Sequence, residues 1–155
     1  LPGYPKINPV RKRFSNGVNR IIDANLNRLK EGLRVCEEIT RFVIESPELT
    51  AGFKKIRHGV DLAAKKLPAK VALLAERDSR KDVGKNIRLN ELERKNCQDI
   101  FFANIQRAKE SARVLEEFAK LINKNIALRL KKIRYNLYEI EKKAAGKVSS
   151  LYYHR

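Results

Sequence analysis

Two arginines, each three residues after an asparagine, stand where they could bind an anion. On a helical wheel Asn25 and Arg28 fall within the apolar arc of one helix, and Asn104 and Arg107 repeat the arrangement on another. A guanidinium on an apolar face is costly unless its donors are satisfied. Either Arg28 and Arg107 pair internally, with Glu31, Glu110 or neighbours across an interface, or they line a polar pocket between two halves of the chain. The second arrangement suits phosphate, because the planar fork of Arg binds it bidentately. The small Gly32 and Ser111 beside them let a ligand or another backbone approach. Arg57 and Arg134, at the apolar edge of their helices, either extend this basic lining or snorkel to solvent. A polar loop adds Arg77, Asp78, Lys81 and Asp82, with Gly84 able to take an unusual backbone angle. Paired aspartates among cations are what a Mg²⁺–phosphate site needs; the alternative is a solvated turn.

Other chemistries lack their residues. There is no Walker-type phosphate loop and no Gly-x-Gly-x-x-Gly. No Cys/His cluster has metal-ligand spacing. His58 and His154 have no triad partner, and His58 aligns with Tyr135 in the repeat described below, which points to a shared packing role. Cys36 and Cys97 make no disulfide framework; Cys36, at an apolar helical position, is expected to be a reduced core thiol. A cytoplasmic location is the corresponding expectation.

The elements that must position these residues are helices. Ile22, Leu26, Leu29, Leu33, Cys36, Ile39 and Val43 form one apolar arc, with Asp23, Asn27, Lys30, Arg34, Glu37 and Arg41 opposite. Residues 1–15, with the basic run Arg11-Lys12-Arg13, read as an extended N-terminal arm. Ser15-Asn16-Gly17 reads as a turn, and a helix follows to about Glu45. Ser46 is placed to cap the next helix, with Pro47 at its first position, running to about Lys66. A short helix covers Pro68 to about Glu76, and a loop spans 77–89. Helix resumes near Asn90 and runs to about Ile122. After an Asn123-Lys124-Asn125 turn a last helix reaches about Ala145, where Gly146 can end it. The tail 148–155 reads as a short strand or an arm.

Residues 24–38 and 103–117 align without gaps and share nine of fifteen identities. The helices that follow also match, Lys54-Lys55-Ile56-Arg57-His58 against Lys131-Lys132-Ile133-Arg134-Tyr135. Such self-similarity predicts an all-α bundle of two tandem helical hairpins related by a pseudo-two-fold axis. Repeat 1 covers about 18–67 and repeat 2 about 98–145, within one domain over 16–147.

The chain has 155 residues and a formal net charge of +17. That charge favours polyanions or phosphorylated metabolites as partners. Acid-before-base pairs recur four residues apart: Glu37/Arg41, Asp61/Lys65, Glu91/Lys95, Glu116/Lys120 and Glu139/Lys143, so part of the charge is a solvated helical surface. No apolar run approaches the ~18 residues of a membrane span.

Asp23-Ala24-Asn25-Leu26-Asn27-Arg28 through Glu31-Gly32-Leu33-Arg34-Val35-Cys36-Glu37-Glu38, with Arg41-Phe42, resembles the small helical domain often fused ahead of thiamine-phosphate synthase. So do Arg77-Asp78, Asp82-Val83-Gly84, Ala103-Asn104 through Glu116-Glu117, and Ile133-Arg134-Tyr135. The resemblance covers roughly residues 18–145. That family is an alternative hydroxymethylpyrimidine-phosphate kinase, unrelated to the ribokinase-like enzyme. It implies ATP-dependent conversion of 4-amino-5-hydroxymethyl-2-methylpyrimidine phosphate to the diphosphate, for thiamine biosynthesis, and a functional link to the synthase. The expectation is then that Arg28 and Arg107 grip phosphates and Asn25 and Asn104 orient them. Asp78 and Asp82 hold Mg²⁺, with Glu31 or Glu110 as alternatives, and Arg57, Arg134, Arg77 and Lys81 complete the lining. The acceptor is already a phosphate with a second pKa near ~6, so no general base is demanded. Two other classes compete. A nucleic-acid-binding protein is favoured by the charge, but interspersed acids and the lack of an exposed aromatic row oppose it. A non-catalytic helical partner of the synthase predicts no phosphoryl transfer.

Overall fold

The first helix starts well before the expected turn. Asn8 caps it, accepting a hydrogen bond from Val10 N at 2.9 Å, and Pro9 occupies the first position, where its missing N–H is no loss. In this computed structural model, which describes residues 3, 6, 8–67, 70–86 and 92–151 without the side chains of 11–14, 70 and 71, helix α1 spans Pro9–Glu38. Residues 9–15 are thus helical rather than extended, and Ser15-Asn16-Gly17 is ordinary helix: the Asn8–Pro9 signal outweighs the turn residues. The side chains of Arg11-Lys12-Arg13 lie outside the described residues.

Helix α1 passes into a five-residue π-helical segment, Ile39–Val43. Glu45, at φ 55°, turns the chain, and Ser46 then caps α2 (Pro47–Ala64) through its hydroxyl, which accepts from Leu49 N. Helix α3 is short, Lys70–Glu76. Helix α4 runs Cys97–Ala119 and α5 Lys124–Ser150, capped by Asn96 and Asn123. The expected restart at Asn90 falls outside the described residues, but 92–96 are not α-helical, because Asn96 takes the N-cap and its side chain accepts from Asp99 N. Gly146 does not end α5. The backbone of 148–150 is helical, not strand, and residues 152–155 lie outside the described part. No strand occurs among the described residues, so the all-α class holds. None of their helices is long and apolar enough to cross a membrane.

Helix α1 packs on α4, α4 on α5, and α2 bridges α1 and α5. Ile22, Leu29, Leu33, Cys36, Phe53, Phe101, Ile105, Leu115, Leu130 and Leu137 fill the core. Gly32 sets the approach of α1 and α4. A Cβ there would stand 2.8 Å from the backbone oxygen of Asn104 and 3.4 Å from Ala108 Cβ. Gly146 has nothing within 4 Å of the same virtual atom. The two glycines should therefore respond with opposite signs. Gly146→Ala should stabilise by about 0.5–1 kcal/mol through helix propensity. Gly32→Ala should destabilise by about 1–2 kcal/mol net, since a backbone carbonyl on a packed helix cannot swing aside. Urea midpoints of the two variants check this, and a stabilised Gly32→Ala would refute the close crossing.

Cys36 is fully buried, with its thiol 3.6 Å from Phe101 O. Burial, reinforced by the charge of Glu141, pushes the thiol up to about 12. The native protein should therefore be alkylated at Cys97 alone, with Cys36 reacting only on unfolding, as read by mass spectrometry. The unfolded thiol ionises near ~9 and the folded one does not, so stability is flat below that pH and falls as pH rises through the window up to about 12. Cys36→Ala should abolish this alkaline component of the unfolding midpoint.

Candidate functional site

The arginines expected at the apolar edges of α2 and α5 are held by buried carboxylates. Arg57 Nε and Nη2 donate to Glu37 at 2.9 and 3.2 Å. Arg134 Nε and Nη2 donate to Glu116 at 2.8 and 3.4 Å. Glu37 is 5% exposed and Glu116 4%. Arg34 and Arg113 add further cations to the same carboxylates. These are the same bonds in both repeats, tying α1 to α2 and α4 to α5. Arg57 and Arg134 therefore do not extend a free basic lining. The hydrogen bond to Glu116, seconded by Tyr138, raises the already high pKa of Arg134, and Glu37 does the same for Arg57. Glu37 and Glu116 leave the expected surface ladder for this reason. Among the described pairs Glu37/Arg41, Asp61/Lys65, Glu116/Lys120 and Glu139/Lys143, none closes: Asp61 meets Lys30 at 2.9 Å, and Lys120 meets Glu117. Glu91 lies outside the described residues.

Arg28 and Arg107 are exposed, not buried. Ile22, Leu29 and Leu33 define the direction of the core, and at 100° per residue Arg28 points about 120° from it, whereas Asn25 is only about 60° away. Asn25 is accordingly 6% exposed. Its Nδ2 donates to Ile21 O at 2.9 Å, and Asn104 Nδ2 donates to Ile100 O at 2.8 Å. Each amide has one N–H engaged in its own helix.

The first half of α1 and the loop after α3 enclose a cleft of about 470 Å³. Arg20, Arg28 and Arg77 line it together with Asn25, Asp78 and Asp82. The loop is fastened by Arg77, whose Nε and Nη2 each donate to Asp23 at 2.8 Å. Asp23 is 8% exposed although it faces about 100° away from the core direction, because the loop covers it. This hydrogen bond raises the pKa of Arg77. Asp78 Oδ1 accepts from Lys81 N at 3.1 Å, and Asp82 Oδ1 accepts from Gly84 N at 2.8 Å. Gly84 adopts no positive φ; its use is the N–H that orients Asp82.

The cleft thus offers guanidinium groups able to bind phosphate oxygens and, in the same lining, two carboxylates. Among the described residues no three His, Cys, Asp or Glu side chains could hold a metal by themselves. Two carboxylates do suit Mg²⁺, which is bound through one or two of them with water and substrate phosphates completing its octahedron. Each aspartate keeps one oxygen beyond its loop bond. The residues present therefore fit Mg²⁺ carried by a polyphosphate.

Not every expected residue reaches this cleft. Asn104 lies at the Gly32 crossing, and neither it nor Arg107, Glu31 or Glu110 lines the cleft. Glu110 instead accepts from Gln106 at 3.0 Å. The Lys81 side chain is exposed outside the lining. His58 and Tyr135 are both exposed, so neither packs in the core; Tyr135 stacks edge-on with Tyr138 at 5.6 Å. Arg20 and Asp23 belong to the site and were not anticipated. The sequence held a signal for Asp23 only: an acid on α1 and a lone Arg-Asp after α3.

The description "ThiD2 family" belongs to a family model that matches residues 20–143, from within α1 to within α5 and including every residue named in the cleft. Curated relatives carry the name thiamine-phosphate synthase. That of Nostoc punctiforme is 39% identical over 137 residues, covering 88% of this chain and 38% of its own length. That of Rhodopirellula baltica is 35% identical, covering 85% and 36%, and that of Synechocystis sp. 36% identical, covering 83% and 36%. The chain spans little more than a third of the length of these relatives. No solved structure matches it. On the family match, which takes in most of the sequence, the chain belongs to the ThiD2 family.

Proposed function

We propose that this chain acts in thiamine biosynthesis as a phosphotransferase, moving the γ-phosphoryl group of ATP onto 4-amino-5-hydroxymethyl-2-methylpyrimidine phosphate. The observation that carries the reading is the cleft over α1, whose lining brings Arg20, Arg28 and Arg77 together with Asp78 and Asp82 in a chain of this family. An oxygen of the acceptor phosphate attacks the γ-phosphorus. A new P–O bond forms, the bond from the γ-phosphorus to the bridging oxygen breaks, and ADP leaves with that electron pair. The acceptor dianion has no proton to lose, so the absence of a placed base is no obstacle. What remains for the protein is to bring two anions together, and positive side chains from α1 and the loop, lining one cleft, meet that demand. Mg²⁺ held by Asp78 and Asp82 would neutralise charge on the polyphosphate. Arg28 is the donor to the phosphates, Asn25 orients through its second N–H, and the Asp23–Arg77 pair positions the loop that carries the aspartates. A layout with two equivalent half-sites, in which Arg107 and Asn104 take the second phosphate, is the alternative use of the duplication.

A second reading is favoured by the lengths. The chain matches about a third of proteins named for the synthase step, so it can also be read as a non-catalytic partner of that synthase. The deciding experiment incubates the chain with the pyrimidine monophosphate, ATP and Mg²⁺, with the unphosphorylated alcohol as control. Diphosphate formed from the monophosphate alone supports the kinase. No product from a well-folded chain refutes it and leaves the partner reading.

A further inference from the structure

Next to the phosphate-facing cleft lies a second chamber of about 900 Å³ between α1, α2 and α3. The two share Asp23, Asn27 and Arg77 as a common wall. Their linings differ in kind. The second is floored by Leu26, Leu62, Leu67, Leu73 and Leu74. Leu62 and Leu74 are 55% and 43% exposed, so apolar surface stands open inside a concavity. The volume is that of a small-molecule site, with the leucines as an apolar floor and a rim of polar and charged side chains that includes His58 and Lys65. On its rim Lys30 and Asp61 close an ion pair at 2.9 Å. Asn27, in the lining of both, carries an amide with an N–H donor and a carbonyl acceptor at the border between the two chambers.

We infer that the leucine chamber binds the flat heteroaromatic ring of a phosphorylated ligand, with Asn27 reading a 4-aminopyrimidine edge while the phosphate reaches Arg28. This rests on the reading of the neighbouring cleft as the phosphate site. The ring edge in question pairs an exocyclic amino donor with an adjacent ring-nitrogen acceptor, which complements a carboxamide. Two ligands of the proposed reaction present it, the pyrimidine monophosphate and the adenine of the nucleotide. A leucine floor sorts rings from bare phosphate, because only the ring removes apolar surface from water.

The test measures equilibrium binding to the full chain by calorimetry, with the pyrimidine monophosphate, AMP and inorganic pyrophosphate as separate probes. Leu74→Glu, at an exposed position of α3, should weaken at least one ring-bearing ligand by about tenfold or more and leave pyrophosphate within about twofold. Asn27→Ala should weaken the same ligand without the added charge. Thermal melts by circular dichroism establish that both variants fold. A Leu74-dependent affinity for the pyrimidine monophosphate assigns the chamber to the acceptor, and one for AMP assigns it to the donor. Wild-type affinity for both ring ligands in Leu74→Glu overturns the inference, as does an equal loss of pyrophosphate binding or a wild-type chain that binds neither ring. A chain that binds a ring through Leu74 yet forms no diphosphate would refute only the kinase reading. A working kinase whose ring affinity ignores Leu74 would refute only the chamber.

Discussion

Arg28→Ala should lower the rate of pyrimidine diphosphate formation by about 10²–10³-fold, the usual cost of deleting one charge-stabilising donor in a phosphoryl- or acyl-transfer site. Stability should hardly move, within about 0.5 kcal/mol, because Arg28 is exposed and faces away from the core. The combination is diagnostic. A residue that only solvates a helix face would lose neither rate nor stability, and an internally paired one would lose stability first. Arg28→Lys keeps the charge without the planar fork and should recover only part of the rate. Arg107→Ala tells one layout from the other. If two equivalent half-sites act together, it should fall as far as Arg28→Ala. If the single cleft over α1 acts alone, it should stay near wild type, since Arg107 is outside that lining. Wild-type turnover in Arg28→Ala itself would remove the phosphate role from this cleft altogether. Asp82→Asn adds a check with a different dependence. It retains the Gly84 hydrogen-bond acceptor and removes a negative charge, so its rate loss should shrink as Mg²⁺ is raised.

The sequence made the helices legible because their cores are strongly periodic and their starts are marked. Ser46-Pro47 predicts the start of α2, and the structure places it there. The start of α5 falls two residues early, because Asn123 caps the helix and Lys124-Asn125, expected in a turn, are its first residues. Ser15-Asn16-Gly17 resembles a turn, so the sequence pattern places the start of α1 too late. A cap at Asn8 with Pro9 behind it is stronger, and continued helix tolerates the glycine. The π-helical segment at Ile39–Val43 has no sequence signature of its own. Arg28 and Arg107 turn outward because of a modest difference in angle. Asn25 and Arg28 look alike on a wide apolar arc, but three residues of rotation leave one buried and the other at the surface. The acids depart from the local pattern for the opposite reason. Local spacing pairs Glu37 with Arg41 and Glu116 with Lys120, whereas the tertiary partners are Arg57 and Arg134, eighteen or more residues away in sequence. No local rule outweighs a bidentate partner at a buried interface. Arg57 and Arg134 occupy matched places in the repeat, as do Glu37 and Glu116, and that double match was the available signal. The cleft was half legible: Asn25, Arg28, Arg77, Asp78 and Asp82 were all named, but only the fold brings the loop against α1, with Asp23 as its anchor.

The largest effect on stability should come from separating Glu116 and Arg134. Both are nearly enclosed, with side-chain exposures of 5% and 12%. Arg134→Met removes the cation and leaves a carboxylate 4% exposed with only Arg113, which donates to it at 3.3 Å but lies half in solvent, to answer it. A loss of about 3 kcal/mol is expected, at the lower end of what breaking a buried pair costs, because Arg113 still compensates part of the charge. Glu116→Leu should cost less, since the freed guanidinium can turn toward solvent and keeps its contact with Tyr138 at 3.1 Å. The double variant should then be markedly more stable than Arg134→Met alone, because a buried ion pair replaced by apolar side chains loses its desolvation cost together with its attraction. A double-mutant cycle on chemical denaturation midpoints reads the coupling directly. Additive losses would show that the pair contributes nothing beyond packing. The matched pair Glu37 and Arg57 gives the control. Its arginine is more exposed, at 24%, so the same cycle there should yield a smaller coupling in the same direction. Neither cycle should affect phosphate binding in proportion, since neither pair lines the cleft over α1. That independence separates the groups that hold the helices together from those proposed to act on the ligand.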